Sequence, residues 1–204
     1  MKNIIKKTIE TYNEIAKIYA DYTFNCVLQY YLNELISLVP KNARVLDVGC
    51  GSGRDVQYFL EYNLSPIGID ISHEMINEAK TRVPTGDFKK MDMRNLKFKE
   101  NTFDAIWACA SLYHITRKEL PSVLQDFNKL LKDKGLLFIS VKEGDGSKII
   151  RKEKYKDLPR LFVYYNKSEI EKLINENGFS IIKSKIEKGS EKTNWITILC
   201  RKET

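Results

Sequence analysis

Apolar residues recur at helical spacing in two segments near the start of the chain. One face of the first segment holds Ile9, Tyr12, Ile15, Ala16 and Tyr19, and one face of the second holds Val27, Leu28, Tyr31, Leu32, Leu35 and Ile36. Polar residues occupy the positions between them, so each helix is expected to bury one side only. Pro40 and Lys41 interrupt the pattern, and we predict that the second helix ends before them.

From Arg44 onward, short β-branched and apolar runs alternate with helical patterns. We predict strands at 44–48, 66–70, 88–91, 103–108 and 136–141, with helices in the intervals. Strands that alternate with helices are typical of a parallel sheet covered on both faces. The pattern therefore predicts an α/β domain with a doubly wound sheet.

The helix after the fourth predicted strand has signals at both ends. Thr116 and Glu119 have the spacing of a capping box, and Gly135 is of the residue type that commonly ends a helix. Between them, one face carries Leu120, Leu124, Phe127 and Leu131. We predict a helix that opens at the capping box and stops at the glycine.

The remainder of the chain predicts one more helix and a hairpin. The helix begins at Asn166 and ends at Asn177-Gly178. Strands at about 179–186 and 195–200 follow it, separated by the turn-forming pair Gly189-Ser190. Because the connection is short, we expect these two strands to pair in antiparallel orientation.

Length and composition are those of one soluble domain. The chain has 204 residues, of which 43% are hydrophobic and 30% are charged. No apolar stretch is long enough to cross a membrane, and the N-terminal segment lacks the apolar run of a signal peptide. We therefore expect a cytoplasmic protein without membrane association. Its four cysteines lie far apart and only two histidines accompany them, so no metal site is expected.

Glycines alternate with other residues directly after the first predicted strand. Gly49, Gly51 and Gly53 form a bend whose backbone amides stay open to a ligand, because glycine tolerates positive φ and has no side chain. Nicotinamide and flavin proteins use a similar bend, but Arg54 stands where their third glycine belongs. Asp47 precedes the first glycine by two residues, and a carboxylate there suits an ammonium group better than a pyrophosphate.

Two further carboxylates follow the second and third predicted strands. Asp70 lies about twenty residues beyond the glycines, where a carboxylate can accept both ribose hydroxyls. Asp92 and Met93 can offer a carboxylate to an exocyclic amino group and a backbone amide to a ring nitrogen, a combination that binds adenine. Ile71 and Met75 are candidates for apolar contact with the ring and equally for ordinary core positions.

These elements, in this order at successive strand ends, resemble those of the class I S-adenosylmethionine-dependent methyltransferases. The resemblance runs from about Arg44 to Cys200. It implies a Rossmann-like, seven-stranded, mostly parallel sheet with an antiparallel C-terminal hairpin, S-adenosylmethionine as cofactor and S-adenosylhomocysteine as product. It also implies contacts of the methionine part with Asp47, Gly49, Gly51 and Gly53, of the ribose with Asp70, of adenine with Asp92 and Met93, and of the sulfonium with the end of the fourth strand at Ala108.

By the same resemblance, one domain of residues 1–204 has four parts. These are cover helices at 1–40, a cofactor-binding core at 41–141, an acceptor-side insertion at 142–165, and a terminal helix and hairpin at 166–204. Tyr12 and Tyr19 of the cover helices and Tyr155 and Arg160 of the insertion are candidates for acceptor contacts. His114, after the fourth strand, is either a general base or a residue that orders its loop.

Several acceptors and one other class of function stay open. A small-molecule acceptor is the leading hypothesis, because no appended recognition module is present. RNA is the alternative, with the basic segment 148–160 holding phosphates. A cofactor-fold protein that binds a partner without catalysis is a third possibility. Cys109 would suggest methylation of a pyrimidine carbon, but Ala108 stands where that chemistry calls for proline. We expect a monomer or a homodimer.

Overall fold

The structure, a computed structural model, describes residues 2–189 and 193–203. Its helices are α1 (Lys2–Thr23), α2 (Gln29–Leu38), α3 (Arg54–Glu61), α4 (His73–Arg82), α5 (Leu120–Leu130) and α6 (Lys167–Glu176). Its strands are β1 (Arg44–Val48), β2 (Ser65–Asp70), β3 (Asp87–Lys90), β4 (Phe103–Cys109), β5 (Leu131–Lys142), β6 (Ser147–Ile150), β7 (Arg160–Val163), β8 (Phe179–Lys188) and β9 (Asn194–Lys202). Within those ranges, no helix has the length and apolar character needed to cross a membrane.

Seven strands form the main sheet, in the order β3-β2-β1-β4-β5-β9-β8. β1 to β5 are parallel to one another, and β9 is antiparallel to both β5 and β8. The predicted α/β fold, with its doubly wound sheet and C-terminal hairpin, is confirmed. Strand order reverses between β1 and β4, and a crevice opens at the carboxyl ends of strands where such a reversal occurs. This edge of the sheet is therefore the expected ligand site.

Alternate residues of each strand contribute to different halves of the core. Leu46 of β1 and Ile106 of β4 belong to a cluster that also includes buried residues of α5 and α6. Their neighbours Val45 and Trp107 belong to a second cluster that includes residues of α2 and α3. Side chains alternate across a sheet, so one strand supplies both layers. The two-layer core holds the carboxyl ends of β1, β2 and β4 in fixed register.

The end of α5 differs from the prediction. The helix stops at Leu130, and Leu131 already opens β5, so the predicted end at Gly135 was wrong. The amides of Asn101 and Thr102 donate to the carbonyls of the last helical turn, at 2.9 and 2.8 Å. A tertiary contact therefore ends the helix before its local stop signal is reached.

Both predicted capping contacts are present, but only that of α6 lies at the start of a helix. The Asn166 side chain accepts a hydrogen bond from the Glu169 amide at 3.0 Å, as the prediction for α6 requires. The Glu119 carboxylate accepts from the Thr116 amide at 2.8 Å, which is the predicted capping contact. The helix nevertheless begins later, at Leu120. The turn from Thr116 to Glu119 precedes α5 instead of forming its first turn.

The predicted insertion at 142–165 contains a sheet of its own. β6 and β7 pair in antiparallel orientation, and a short helical turn at Glu153–Tyr155 lies between them. Three of the four β6 residues are exposed, so the sequence carried no alternating pattern that could reveal the strand. The Thr8 hydroxyl accepts from the Leu161 amide at 3.0 Å, and the Thr11 hydroxyl donates to the Pro159 carbonyl at 2.8 Å. These contacts fix α1 to the insertion.

The predicted turn between the last two strands is only partly described. The Gly189 amide donates to the Thr193 carbonyl at 2.8 Å, at the end of the β8–β9 hairpin. Ser190, the second residue of the predicted turn pair, lies outside the described residues.

Candidate functional site

The bend between β1 and α3 uses its three glycines in different ways. Gly49, Gly51 and Gly53 all have positive φ, at 75°, 53° and 84°. A β-carbon on Gly49 would collide with Ser111, and one on Gly53 would lie 2.7 Å from the Phe88 ring. A β-carbon on Gly51 would meet no atom within 4 Å. The glycine that leaves room for a ligand is therefore Gly51, whereas Gly53 permits close packing and does not line the site.

A first cavity lies between α1 and the carboxyl ends of the strands. Its volume is about 800 Å³, counting its open mouth. Ten residues predicted for the site line it: Tyr12, Tyr19, Gly49, Gly51, Asp70, Ile71, Met75, Asp92, Met93 and His114. Five others do not: Asp47, Gly53, Ala108, Tyr155 and Arg160. The cavity therefore joins the predicted nucleoside contacts to two tyrosines of the first helix.

Asp70, the last residue of β2, is held by backbone amides. Ser72 donates to Oδ1 at 2.8 Å and Gly51 donates to Oδ2 at 3.1 Å. Burial raises the pKa of Asp70 to about 6, although these amides act in the opposite direction. Each carboxylate oxygen can accept more than one hydrogen bond, so both can still receive a ligand hydroxyl. The carboxylate is fixed in place before any ligand arrives.

Asp92 is oriented by an arginine two residues further along the chain. Arg94 donates to it from Nη2 at 2.7 Å and from Nε at 3.0 Å, and its Nη1 donates to Glu119 at 2.9 Å. Burial raises the pKa of Asp92, but hydrogen bonds and charge from Arg94 outweigh that effect and lower the pKa overall. Asp92 is therefore an oriented anion at the rim. Arg94 could not be identified from the sequence, because an arginine two residues after an aspartate is common and not specific to a binding site.

Asp47 is a buried carboxylate with an unsatisfied oxygen. Only 2% of the residue is exposed, and its Oδ2 has no hydrogen-bond partner among the described residues. Burial, with the charge of Asp55, raises the pKa of Asp47 well above its usual value. A buried acceptor without a donor is costly unless a ligand satisfies it. A cationic group near the end of β1 would do so.

Near Asp47, Arg54 and Asp55 form an ion pair in the first turn of α3. Arg54 donates to Asp55 from Nε at 2.7 Å and from Nη2 at 2.8 Å, and the Trp107 indole donates to the same carboxylate at 2.8 Å. Asp55 is buried and Arg54 is half-buried. From the sequence, Arg54 served only to exclude a dinucleotide motif. In the structure it also lines a second cavity.

This second cavity adjoins the first, and its volume is about 1470 Å³, counting its mouth. Tyr12, Tyr19 and Ala110 line both cavities. Ala110 has a positive φ of 55° and follows β4 directly, whereas Ala108 is 0% exposed inside that strand. Ala108, the predicted contact, therefore lines neither cavity, whereas Ala110 lines both. Tyr155 and Arg160, the predicted acceptor contacts, line the second cavity.

Both ring nitrogens of His114 are engaged by the protein. Nδ1 lies 2.6 Å from the Leu161 carbonyl, which can only accept, so Nδ1 carries the proton. Nε2, 2.9 Å from the Tyr12 hydroxyl, is then the acceptor. Burial lowers the pKa of His114 to about 3. This geometry favours the second sequence interpretation, in which His114 orders its surroundings and ties α1 to the insertion.

Comparison with known sequences matches this chain to methyltransferases. A family model described as a methyltransferase domain matches residues 45–135. A ubiquinone biosynthesis O-methyltransferase of Pelagibacter ubique is 30% identical over 161 residues, which are 69% of this chain and 66% of that protein. Phosphoethanolamine N-methyltransferase 1 of Triticum aestivum is 36% identical over 102 residues, which are 48% of this chain and 20% of that protein. The chain spans less than two thirds of the length of these relatives.

A solved structure shares the fold over nearly the whole chain. It is Burkholderia thailandensis 1,6-didemethyltoxoflavin-N1-methyltransferase with bound 1,6-didemethyltoxoflavin and S-adenosylhomocysteine. The TM-score is 0.76 and the identity is 22%, and the match covers 98% of this chain and 87% of that one. The likeness extends to the N-terminal helices and the insertion, outside the part matched by the family model.

Proposed function

We propose, since this chain belongs to the class I S-adenosylmethionine-dependent methyltransferases, that it transfers a methyl group from S-adenosylmethionine to a small-molecule acceptor. The observation that carries the proposal is the pair of adjoining cavities. One has the carboxylates and the glycine bend of a nucleoside site, and the other is lined by aromatic and basic side chains. Their common wall of Tyr12, Tyr19 and Ala110 is where donor and acceptor would meet.

The residues of the first cavity suit this cofactor. Asp70 would accept the ribose hydroxyls, and Asp92 with Met93 would contact adenine between apolar side chains of Ile71 and Met75. Asp47, which is buried beside this cavity and does not line it, would receive the ammonium group on its unsatisfied oxygen. When bound, S-adenosylmethionine supplies a methyl group on a positively charged sulfur, which keeps the electron pair of the broken carbon–sulfur bond and leaves as S-adenosylhomocysteine.

The chain's own residues contribute mainly by holding and shielding the reactants. Neither His114 nor Cys109 is prepared to take a proton at neutral pH. His114 has both nitrogens occupied and a pKa of about 3. Burial raises the pKa of the Cys109 thiol, which argues against a nucleophilic cysteine. We therefore assign the rate enhancement to positioning and to exclusion of water beneath α1.

A small acceptor is favoured over RNA by the partners of the basic segment. Lys156 pairs with Glu14 at 2.6 Å, and Arg151 donates to the Asp157 carbonyl at 2.7 Å. Arg160 is buried and lines the second cavity. Phosphate-binding surfaces need several exposed cations on one face. In this segment, Lys156 is paired with a carboxylate and Arg160 is buried, so neither is a free cation on the surface.

Two measurements test the proposal. Calorimetry with S-adenosylhomocysteine should give binding by the wild-type protein. Methyl-labelled S-adenosylmethionine, incubated with the protein and a cell extract separated into metabolites, RNA and protein, should label the metabolite fraction. Label in RNA would replace the acceptor class and keep the activity. Absence of cofactor binding would overturn the activity itself.

A further inference from the structure

Arg160 is a buried cation surrounded by aromatic rings. Only 3% of the residue is exposed, and its guanidinium carbon lies 4.4 Å from the ring centre of Tyr155, 5.4 Å from that of Phe162 and 5.7 Å from that of Tyr12. Its Nε has no hydrogen-bond partner among the described residues. The guanidinium has a side-chain hydrogen bond to Tyr12, but the Nε donor stays unused, and aromatic faces satisfy the charge of a guanidinium without satisfying its N–H groups.

Positive charge dominates the cavity that Arg160 lines. Arg54, Lys142 and Lys154 line it as well, whereas Glu187 is the one acidic residue among the described lining residues. Arg54 already pairs with Asp55, but no described carboxylate lies in an ion pair with Arg160. A cavity with several cations and low-dielectric walls concentrates anions. The buried guanidinium is the natural receptor, since its planar fork matches carboxylate and phosphate oxygens.

Aromatic side chains line the same cavity. Tyr113 lies 5.1 Å from Phe162 and 5.9 Å from Trp195, measured between ring centres. Lys142 stands over the Phe162 ring at 4.3 Å. Tyr19, on the wall shared with the first cavity, contacts Tyr155 at 5.6 Å. Rings in this arrangement accept a planar molecule by stacking and edge contacts.

We infer that the second cavity binds an aromatic acceptor that carries a carboxylate or a phosphate, and that Arg160 receives its oxyanion. The inference rests on the proposed function, because it identifies the chemical class of the methyl acceptor. The charged group is held among Tyr12, Tyr155 and Phe162. The rest of the ring extends along the aromatic walls toward the common wall, where the methyl group is delivered.

Binding of small probes to the full chain tests this inference. 4-Hydroxybenzoate and phenyl phosphate supply the two oxyanions, and 4-hydroxybenzamide is an uncharged match for the first. In calorimetry with saturating S-adenosylhomocysteine, we expect at least one anion to bind at least about tenfold more tightly than the amide, a preference of about 1.4 kcal/mol. The tighter anion identifies the acceptor's charged group. Equal binding of all three probes, or no binding of either anion, would overturn the inference.

Variants assign the preference to Arg160. Arg160→Met should abolish it, and Arg160→Lys should reduce it, because lysine keeps the charge without the planar fork. Lys148→Met is the matched control, since Lys148 is an exposed cation of the same segment that does not line the cavity. It should keep the full preference. A preference that survives in Arg160→Lys and Arg160→Met alike would contradict the inference.

The cofactor measurement separates the two proposals. Binding of S-adenosylhomocysteine to each Arg160 variant should equal that of the wild-type protein, which also shows that the variant is folded. If wild-type protein binds the anions through Arg160 but not S-adenosylhomocysteine, the probes being titrated alone, the methyl-transfer proposal fails and the anion site stands. If the cofactor binds and the anions do not, only the anion site fails.

Discussion

The two adjoining cavities are built from different parts of the chain. The first takes its carboxylates from the carboxyl ends of β2 and β3 and its glycines from the bend after β1. The second takes much of its lining from α1, the insertion and the C-terminal hairpin, which are far apart in sequence. Backbone topology therefore determines the first site, and side chains brought together by tertiary packing determine the second. Fold fixes the donor site more tightly than the acceptor site.

Charge follows the same division. Asp70 and Asp92 line the first cavity, and Asp47 is buried beside it. Arg54 and Arg160 line the second. A cationic donor and the proposed anionic acceptor would thereby be directed to opposite sides of one wall, since like charges would disfavour the reverse arrangement. Substitutions in one cavity should therefore leave ligand binding in the other unchanged.

Filling the first cavity should cause the largest loss. Gly51→Leu places a side chain where a β-carbon now meets open space, so affinity for S-adenosylhomocysteine should fall at least about 100-fold. Gly146→Leu is the control, because Gly146 also has a positive φ and open space but lines neither cavity. Calorimetry should show the loss only in the first variant. Equal losses would mean that strain at the left-handed residue, and not occupied volume, weakens binding.

Removing the ribose acceptor should have the next largest effect. Asp70→Ala should weaken S-adenosylhomocysteine binding by about 1 to 3 kcal/mol, because charge-assisted hydrogen bonds are lost. Asp87→Ala removes an exposed carboxylate at the start of β3 and should leave affinity unchanged. Anion binding in the second cavity should persist in both variants. Unchanged cofactor affinity in Asp70→Ala would place the ribose elsewhere.

Cofactor affinity should also depend on pH through Asp70. Its pKa is raised to about 6, and ligand hydroxyls donate to the ionised form. Binding therefore keeps its full strength above that pH and weakens as pH falls through it, by about tenfold between pH 7 and pH 5. Calorimetry across this range measures the slope, and Asp70→Asn should lose most of it. A slope of opposite sign would contradict the assignment.

The smallest effect is expected at the hydrogen bond between His114 and Tyr12, the tyrosine that lines both cavities. Tyr12→Phe removes the donor to His114 and should lower the free energy of unfolding by about 1 kcal/mol. Tyr22→Phe, on an exposed residue of the same helix, should not. Urea denaturation gives both values. Because His114 is not assigned as a base, the variant should keep the wild-type pH profile of methyl transfer near neutral pH.

Features that depend on residues close together in sequence could be predicted, and features that depend on contacts between distant residues could not. Gly51, Asp70 and Asp92 lie in motifs where local residue type and strand periodicity coincide, and all three line the first cavity. The predicted end of α5 was wrong because two amides from a loop distant in sequence donate to the last turn of the helix, which ends before Gly135 is reached. Tertiary contacts of this kind leave no mark on a local pattern.

Side-chain partnerships were harder still to foresee. Arg94 holds Asp92, and Trp107 donates to Asp55, yet neither spacing is distinctive. Ala110 lines both cavities because the chain after β4 makes a left-handed turn that alanine rarely adopts. Such details require the backbone path itself. The candidate acceptor residues, by contrast, could be named from composition, but their arrangement around one guanidinium could not.

One consequence concerns the order of events during turnover. α1 supplies a wall to both chambers through Tyr12 and Tyr19 and is anchored to the insertion through Thr8 and Thr11. If binding of the methyl donor changes the affinity for the acceptor through α1, binding of the acceptor changes the affinity for the donor by the same factor. A measured difference in acceptor affinity between the donor-bound and the free protein would therefore also give the acceptor's effect on the donor.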